Sequence, residues 1–158
     1  MQPRIKNPAL TLPGALDAID ALSAVIGKTD IPRTTLELVS LRASQINGCS
    51  VCVDIHTRAL KKLGEKEQRI FCVSAWREAP YYSDAERAAI SLAEHASRLS
   101  DRTDPVPDEV WKEAARHYSE AQLGALVLSI GVINLFNRLN AATRQPTGDF
   151  VQQFVDAS

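Results

Sequence analysis

Apolar residues recur every three or four positions along most of this chain, which is the spacing of one face of an α-helix. These stretches follow one another with only short breaks of glycine, proline or polar residues between them. The pattern therefore predicts an all-α protein of roughly seven helices. The predicted helices cover residues 12–26, 34–47, 49–63, 65–77, 83–99, 107–118 and 119–143.

Short local signals indicate where these helices begin and end. Gly27, Gly48 and Gly64 each follow an apolar stretch, and glycine tolerates backbone angles that stop a helix. A serine or threonine followed three residues later by glutamate or glutamine is typical of a capping box at a helix start. Three such sequences occur: Thr34/Glu37, Ser83/Glu86 and Ser119/Gln122. We expect each of them to begin a helix.

The last predicted helix is apolar on nearly every side. Its centre, LVLSIGVINLF, could form a buried strand, but the capping sequence before it and its length favour a buried helix. Asn134, Asn137 and Asn140 are unusual on such an element, so we expect neighbouring helices or a second subunit to supply their hydrogen-bond partners. The most hydrophobic part, Leu123 to Phe136, is too short to span a bilayer, and no membrane association is expected.

Length, cysteine content and charge restrict the class of protein further. The 158 residues are most simply one domain, with residues 1–12 as an extended N-terminal arm and residues 144–158 as a C-terminal tail. Three cysteines are too few for a disulfide-stabilised secreted fold, so a reducing cytoplasm is the expected compartment. The net charge of −1, with acids and bases interspersed, provides no basic surface for nucleic acid.

The residues best suited to chemistry lie between Glu37 and His56. Cys49 and Cys52 are three residues apart and His56 follows four residues later, so one helix would carry all three on a single face. An ordinary cysteine is only about 3% thiolate at pH 7, so a reactive one needs neighbours that stabilise the anion. The helix start could do this for Cys49, and the imidazole could take the proton of Cys52. Glu37 could orient His56 if the break at Gly48 folds the two helices together.

The combination of Glu37, the sequence Cys49-Ser-Val-Cys52 and His56 resembles the carboxymuconolactone decarboxylase superfamily, specifically its alkylhydroperoxidase D-like branch. The similarity continues through EQRIFCVSAWREAPYYSDAERAAISLAE and INLFNRLN, and covers most of the chain from about residue 34 to residue 146. The resemblance implies a compact all-helical fold, assembly as a homotrimer or hexamer, and thiol-dependent reduction of peroxides.

The resemblance also implies a role for each candidate residue. Cys52 corresponds to the peroxidatic thiol, Cys49 to the resolving thiol, His56 to the acceptor of the Cys52 proton, and Glu37 to the base behind it. The implied cycle forms a sulfenic acid on Cys52 and then a Cys49–Cys52 disulfide, which an external dithiol reduces. The substrate is a hydroperoxide, a lipoyl-bearing protein is one candidate reductant, and neither a cofactor nor a metal ion is expected. Val51 departs from the family pattern, which has a histidine of the relay between the cysteines.

Other interpretations of the same residues are open at this point. Glu37 could serve only as the capping partner of Thr34. Glu37 and His56 could also act as acid and base without the thiols, in a decarboxylase or isomerase of a small cyclic acid. Finally, Cys49 and Cys52 could hold structural zinc together with His56 and Glu37, in a non-enzymatic oligomeric module.

Overall fold

The computed structural model describes residues 2–148 and 151–156 of the chain. Regular structure within these residues is helical without any β-strand, which confirms the predicted all-α class. Six of the seven predicted helical stretches each correspond to one α-helix of the structure, and the stretch at 65–77 is the exception. The elements are α1 (Pro8–Thr11), α2 (Ala15–Ile26), α3 (Arg33–Asn47), α4 (Ser50–Lys62), α5 (Glu67–Phe71), a 3-10 helix (Cys72–Ala75), α6 (Asp84–Ser97), α7 (Asp108–His117), α8 (Glu120–Thr143) and α9 (Gln152–Asp156).

The predicted helix at 65–77 is shorter and more irregular than the sequence pattern suggested. It consists of α5 followed directly by the 3-10 helix. Ile70, Val73 and Trp76 are all buried and are spaced three residues apart. Of these three residues, Ile70 lies in α5, Val73 lies in the 3-10 helix and Trp76 follows that helix directly.

Helix α3 is the centre of the fold and packs against α4, α6 and α8. Leu38, Val39, Leu41 and Ala43 are each at most 1% exposed, because these neighbours cover different sides of α3. Leu38 and Leu41 pack with residues of α4 and α6, whereas Val39 packs with α6 and α8. Ala43 lies in a third cluster, around the two cysteines. Glu37, on the same helix, is therefore held in place by the surrounding core.

Two of the three predicted capping boxes are present. The hydroxyl of Ser83 accepts the N–H of Glu86 at 3.2 Å, and the carboxylate of Glu86 accepts the N–H of Ser83 at 2.8 Å. Ser119 and Gln122 make the same reciprocal pair at 3.3 and 2.9 Å. These boxes start α6 and α8 where the sequence predicted.

The third predicted capping box, between Thr34 and Glu37, is wrong. Helix α3 already includes Arg33, and Pro32 precedes its first turn without any side-chain cap. The proline ring restricts φ, which is −53° here, and so allows the chain to enter the helix at this point. The carboxylate of Glu37 makes its contacts elsewhere, and the interpretation of Glu37 as a simple capping residue is excluded.

The N-terminal arm lies on the end of α8 and is only partly extended. The side chain of Asn7 caps α1, where its Oδ1 accepts the N–H of Ala9 at 3.0 Å. This cap explains why residues expected to be extended form a helical turn. The N–H of Arg4 donates to the carbonyl of Thr143 at 2.8 Å, which attaches the arm to α8.

The C-terminal tail also contains a short helix, α9, which packs against α4. Val151 and Val155 are both buried, and the Val155 carbonyl accepts a hydrogen bond from Lys62 Nζ at 2.8 Å. Residues 144–158 were predicted to be a tail because they lack helical periodicity. Part of this tail nevertheless packs against α4.

Helix α8 is 24 residues long, well beyond the apolar stretch from Leu123 to Phe136. By length and composition alone the whole helix could cross a membrane, although the stretch from Leu123 to Phe136 is itself shorter than a bilayer span. It nevertheless packs against α2, α3, α6 and α7 and buries Asn134, Asn137 and Asn140. Asn47 of α3 donates to the side-chain oxygens of Asn134 and Asn137 at 3.0 and 2.8 Å. Within the described residues, α8 is the core helix that the sequence predicted.

Candidate active site

The turn between α3 and α4 positions the cysteine pair. Gly48 has a φ of 66°, a left-handed conformation that glycine adopts without steric cost. The N–H of Cys49 donates to the carbonyl of Ser44 at 3.0 Å and closes the end of α3. The chain reverses at this point, so that α4 runs back along α3. Residues near the start of α4 thus lie beside the end of α3.

Cys49 and Cys52 are joined by a disulfide across the first turn of α4, with their Cα atoms 5.4 Å apart. Both residues are only 3% exposed. Cys49 is the N-cap residue of α4, and its sulfur accepts the backbone N–H of Cys52 at 3.3 Å. The geometry allows the pair to cycle between dithiol and disulfide without a backbone rearrangement, because both Cβ atoms are anchored on one helix start.

Glu37 and His56 form a close pair between α3 and α4. His56 Nδ1 lies 2.7 Å from Glu37 Oε2, and Arg33 Nε donates to Glu37 Oε1 at 2.8 Å. Burial raises the pKa of Glu37, but the hydrogen bond and charge of His56, together with those of Arg33, outweigh burial and hold that pKa below its ordinary value. The ionised carboxylate orients the imidazole with its Nδ1–H toward Glu37, so that Nε2 can accept a proton.

The imidazole of His56 is one helical turn beyond Cys52 on α4. In the described part of the chain, the ring makes its hydrogen bond with Glu37 and none with either sulfur. A proton moving from Cys52 to His56 therefore requires a bridging water molecule or a change of side-chain rotamer. The structure pairs Cys49 with Cys52 and Glu37 with His56, and Cys52 and His56 are one turn apart on α4.

Asn140 of α8 is a further residue at the sulfurs. Its Nδ2 lies 3.3 Å from Cys52 Sγ and 3.7 Å from Cys49 Sγ, and the side chain is buried. Its Oδ1 accepts a hydrogen bond from Asn7 Nδ2 at 2.8 Å. The sequence marked Asn140 as a polar residue in need of a partner, but neither the sulfurs nor the arm could be identified as that partner without the fold.

Apolar side chains surround the cysteine pair. Val51 is 5% exposed and belongs to a cluster with both cysteines. The position between the cysteines is therefore filled by methyl groups and supplies no second imidazole. The other members of this cluster are Ala43, Ile55, Ile133, Phe136 and Val151. Few water molecules can approach the sulfurs through such a surface, which strengthens the polar interactions that are present.

The four predicted residues do not form a ligand set for zinc. The two oxygens of Glu37 face His56 and Arg33, and the two sulfurs are bonded to each other. Among the described residues, no group of three His, Cys, Asp or Glu side chains is arranged to hold a metal ion. The structure thus offers no support for the zinc interpretation.

Two open cavities lie away from the sulfurs. One, of about 600 Å³, lies between α6, α7 and α8 and is lined mainly by apolar residues, with Asn134 and Arg138 at its polar side. The other, of about 530 Å³, is polar and is lined by residues that include Arg42 and Arg98. Neither cysteine lines either cavity, so we locate the candidate active site by its chemistry rather than by cavity size.

Comparison with known proteins identifies the family of this chain. The carboxymuconolactone decarboxylase family model matches residues 13–95, just over half of the chain. The chain is also 45% identical over 115 residues to the uncharacterized protein YdfG of Bacillus subtilis strain 168, which covers 73% of this chain and 77% of YdfG. The protein therefore belongs to the carboxymuconolactone decarboxylase family.

Two further matches assign it to the alkylhydroperoxidase D-like branch of that family. The structure of ATU0492, a protein of unknown function from Agrobacterium tumefaciens, superposes with a TM-score of 0.85 at 31% identity, over 93% of this chain and 99% of that one. The alkyl hydroperoxide reductase AhpD of Bradyrhizobium diazoefficiens is 41% identical over 46 residues, which cover 29% of this chain and 25% of AhpD. The similarity to AhpD thus spans about a quarter of that enzyme.

Proposed function

We propose that this protein is a thiol peroxidase that reduces hydroperoxides through Cys49 and Cys52, with Glu37 and His56 as a proton relay. The proposal rests on one arrangement: a redox-capable cysteine pair at a helix start, followed one turn later by an imidazole that a buried carboxylate orients at 2.7 Å. This arrangement contains a nucleophile, a base and a residue that positions the base.

The proposed cycle begins with the dithiol form. His56 takes the proton of Cys52 through a bridging water molecule or after a change of side-chain rotamer. The thiolate attacks the terminal peroxide oxygen, so that the O–O bond breaks and an alcohol leaves with a proton returned through His56. Cys52 is oxidised to the sulfenic acid. The thiol of Cys49 then attacks the sulfur of Cys52, which forms the disulfide and releases water. The structure contains the pair in this oxidised form.

An external dithiol must complete the cycle by thiol–disulfide exchange, in which the dithiol becomes a disulfide and both cysteines regain their protons. A lipoyl group is one candidate, because it presents two thiols on a long arm. The net reaction converts one hydroperoxide and one dithiol into an alcohol, water and a disulfide. A reducing compartment such as the cytoplasm would supply the electrons.

We further propose that the protein acts as a homotrimer or hexamer. Several large apolar residues are exposed on α2 and α8, and a second copy of the chain could cover them: Leu22, Val25, Val127, Leu128 and Leu135. Light scattering on the purified protein would measure the mass directly, and a monomer at micromolar concentration would contradict this part of the proposal.

Thiol titration tests the peroxidase proposal. One equivalent of hydroperoxide added to the fully reduced protein should lower the count of free thiols from three to one, with Cys72 left over. Cys52→Ser should abolish peroxide consumption, whereas Cys49→Ser should stop at a sulfenic acid that a dimedone probe can trap. A thiol count that does not change after the addition of peroxide would rule out the proposal.

A second candidate is acid–base chemistry on a small cyclic acid, as in a decarboxylase or isomerase. It is favoured by the observation that His56 is bonded to Glu37 and not to a sulfur. In that case Cys49→Ser and Cys52→Ser would both retain activity on the acid, while His56→Gln would lose it. The cysteine variants therefore distinguish the two candidates.

A further inference from the structure

We infer that Asn140 stabilises the thiolate of Cys52, and that Asn7 of the N-terminal arm holds the Asn140 amide in the orientation this requires. Two hydrogen bonds connect these residues: Asn7, the N-cap of α1, donates to Asn140, and Asn140 donates to Cys52 Sγ. The inference deepens the proposed peroxidase function and rests on it for its catalytic consequence, although the acidity of Cys52 can be measured independently of any activity.

The contacts distinguish the two sulfurs. Asn140 Nδ2 is closer to Cys52 Sγ, at 3.3 Å, than to Cys49 Sγ, at 3.7 Å. Cys49 Sγ has a donor of its own, the backbone N–H of Cys52. Among the described residues, Cys49 Sγ therefore has the Cys52 N–H and a longer contact from Asn140, whereas Cys52 Sγ has the shorter contact from Asn140, a side chain of another helix.

The direction of the Asn140 amide follows from the chain of hydrogen bonds. A side-chain amide can present either its oxygen or its NH2 group to a neighbour, so its orientation must be determined from its partners. The backbone N–H of Ala9 can only donate, and it binds Asn7 Oδ1 at 3.0 Å. Asn7 must therefore turn its NH2 group to Asn140, whose oxygen accepts it at 2.8 Å. The NH2 group of Asn140 then faces the sulfurs.

A hydrogen-bond donor beside a sulfur favours the charged form of a thiol. Reduction of the disulfide breaks only the bond between the sulfurs and leaves both Cβ atoms on the start of α4, so Asn140 stays beside Cys52. The apolar side chains around the pair limit competition from water and strengthen this interaction. The amide therefore opposes the effect of burial, which by itself disfavours an anion.

This arrangement also explains how Cys52 can be the nucleophile although Cys49 occupies the helix start. The helix start stabilises an anion on Cys49, while Asn140 donates to Cys52, which lies one helical turn before the base His56 on α4. Two differently stabilised thiols suit a pair in which one sulfur attacks the peroxide and the other attacks the sulfenic acid.

The experiment uses the full-length chain with the substitutions Cys49→Ser and Cys72→Ser, which leave Cys52 as the single thiol. Serine at position 49 keeps an N-cap oxygen on α4. The rate of alkylation by iodoacetamide, measured against pH, reports the thiolate fraction of Cys52. Asn140→Leu in this background should move the midpoint of the rate profile up by about one pH unit, so that the rate at neutral pH falls about tenfold.

Two companion variants separate orientation from folding. Asn7→Ser keeps an oxygen to cap α1 but removes the NH2 group that fixes Asn140, and should shift the midpoint in the same direction by less. Asn137→Leu removes a buried amide one turn earlier on α8 that bonds Ser44 and not sulfur, and should leave the midpoint unchanged. If Asn140→Leu does not fold, Asn7→Ser still tests the inference, because Asn7 is only partly buried on the arm.

A midpoint that is unchanged in Asn140→Leu or in Asn7→Ser, or that moves equally in Asn137→Leu, would overturn the inference. The peroxidase proposal can fail separately. A protein that shows the expected midpoint shifts but leaves hydroperoxide unconsumed would keep the role of Asn140 and lose the proposed activity.

Discussion

Two buried glutamates in this protein have similar burial but different hydrogen-bond partners. Glu37 of α3 and Glu94 of α6 are both 6% exposed, and both bind arginine. Burial raises the pKa of each carboxyl, but the partners outweigh burial and lower that pKa in both cases. Neither burial nor the direction of the pKa change therefore distinguishes a functional acid from a structural one.

The hydrogen-bond partners do distinguish Glu37 from Glu94. Glu94 is bound by Arg42 and Trp76 through Oε1 and by Arg77 through Oε2, at distances of 2.6 to 3.0 Å. None of these donors releases a proton near neutral pH, so Glu94 is part of a fixed ionic cluster between α3, α6 and the segment after α5. Glu37 is bound by His56, and histidine is the residue type that exchanges protons near pH 7. A buried carboxylate therefore suits a proton relay when its hydrogen-bond partner is a histidine rather than an arginine.

Glu37→Gln is the change that should separate the two acids most strongly. Glutamine keeps the shape but not the charge, so it cannot stabilise a protonated His56. We expect the rate of peroxide consumption with excess dithiothreitol to fall about 100-fold, which is typical for the loss of general acid–base assistance. Thermal unfolding of the same variant should occur at a lower temperature, because the charge of Glu37 stabilises the fold, so the rate is compared per folded molecule. An unchanged rate would show that Glu37, like Glu94, takes no part in the reaction.

Glu94→Gln should have the opposite profile. It leaves the guanidinium groups of Arg42 and Arg77 without their carboxylate, so we expect the free energy of unfolding to fall by about 2 kcal/mol, less than for a fully buried pair because Arg77 is half exposed. Urea denaturation measures this change. The peroxidase rate per folded molecule should equal that of the wild type, and a rate loss as large as that of Glu37→Gln would erase the distinction.

The fold was predictable wherever a helix is determined by its own sequence. Ser83 and Ser119 cap helices through residues three positions away, and these boxes occur as predicted. Thr34 carries the same signal, but Pro32 allows the helix to begin earlier, so the local pattern was misleading there. The segment at 65–77 changes from an α-helix to a 3-10 helix at Cys72, and the spacing of its apolar residues does not reveal this change.

Only those relations within the candidate site that follow from positions along a helix were predictable from the sequence. The relation of Cys49, Cys52 and His56 follows from positions along one helix, and the return of α4 along α3 follows from Gly48. The contact of Asn140 with the sulfurs joins residues that are 88 positions apart, and no periodicity encodes it. Long-range polar partners of this kind require the packed structure.

Acid should reduce the contribution of Glu94 to the free energy of unfolding in a defined pH range. The pKa of Glu94 in the folded protein lies below its ordinary value, so the unfolded chain binds a proton first as pH falls. The stability that Glu94 provides is fully present above the ordinary glutamate pKa of about 4.3 and is lost as pH falls through the lower pKa of the folded state. The difference in unfolding free energy between wild type and Glu94→Gln should therefore be constant from pH 7 to about pH 5 and shrink below about pH 4. A difference that grows on acidification would contradict this sign.

Arg33→Gln should have the smallest effect, and it tests which partner of Glu37 matters. The Arg33 side chain is 49% exposed, and an ion pair with such a partner contributes less than about 1 kcal/mol to stability because water and salt screen it. His56 would still bind the second oxygen of Glu37, so the peroxidase rate should stay within about threefold of the wild type. Added salt should reproduce part of this small change in the wild type, since it screens exposed pairs more than buried ones. A loss comparable with that of Glu37→Gln would mean that Arg33, rather than His56, determines the state of the carboxylate, and the contrast with Glu94 would no longer hold.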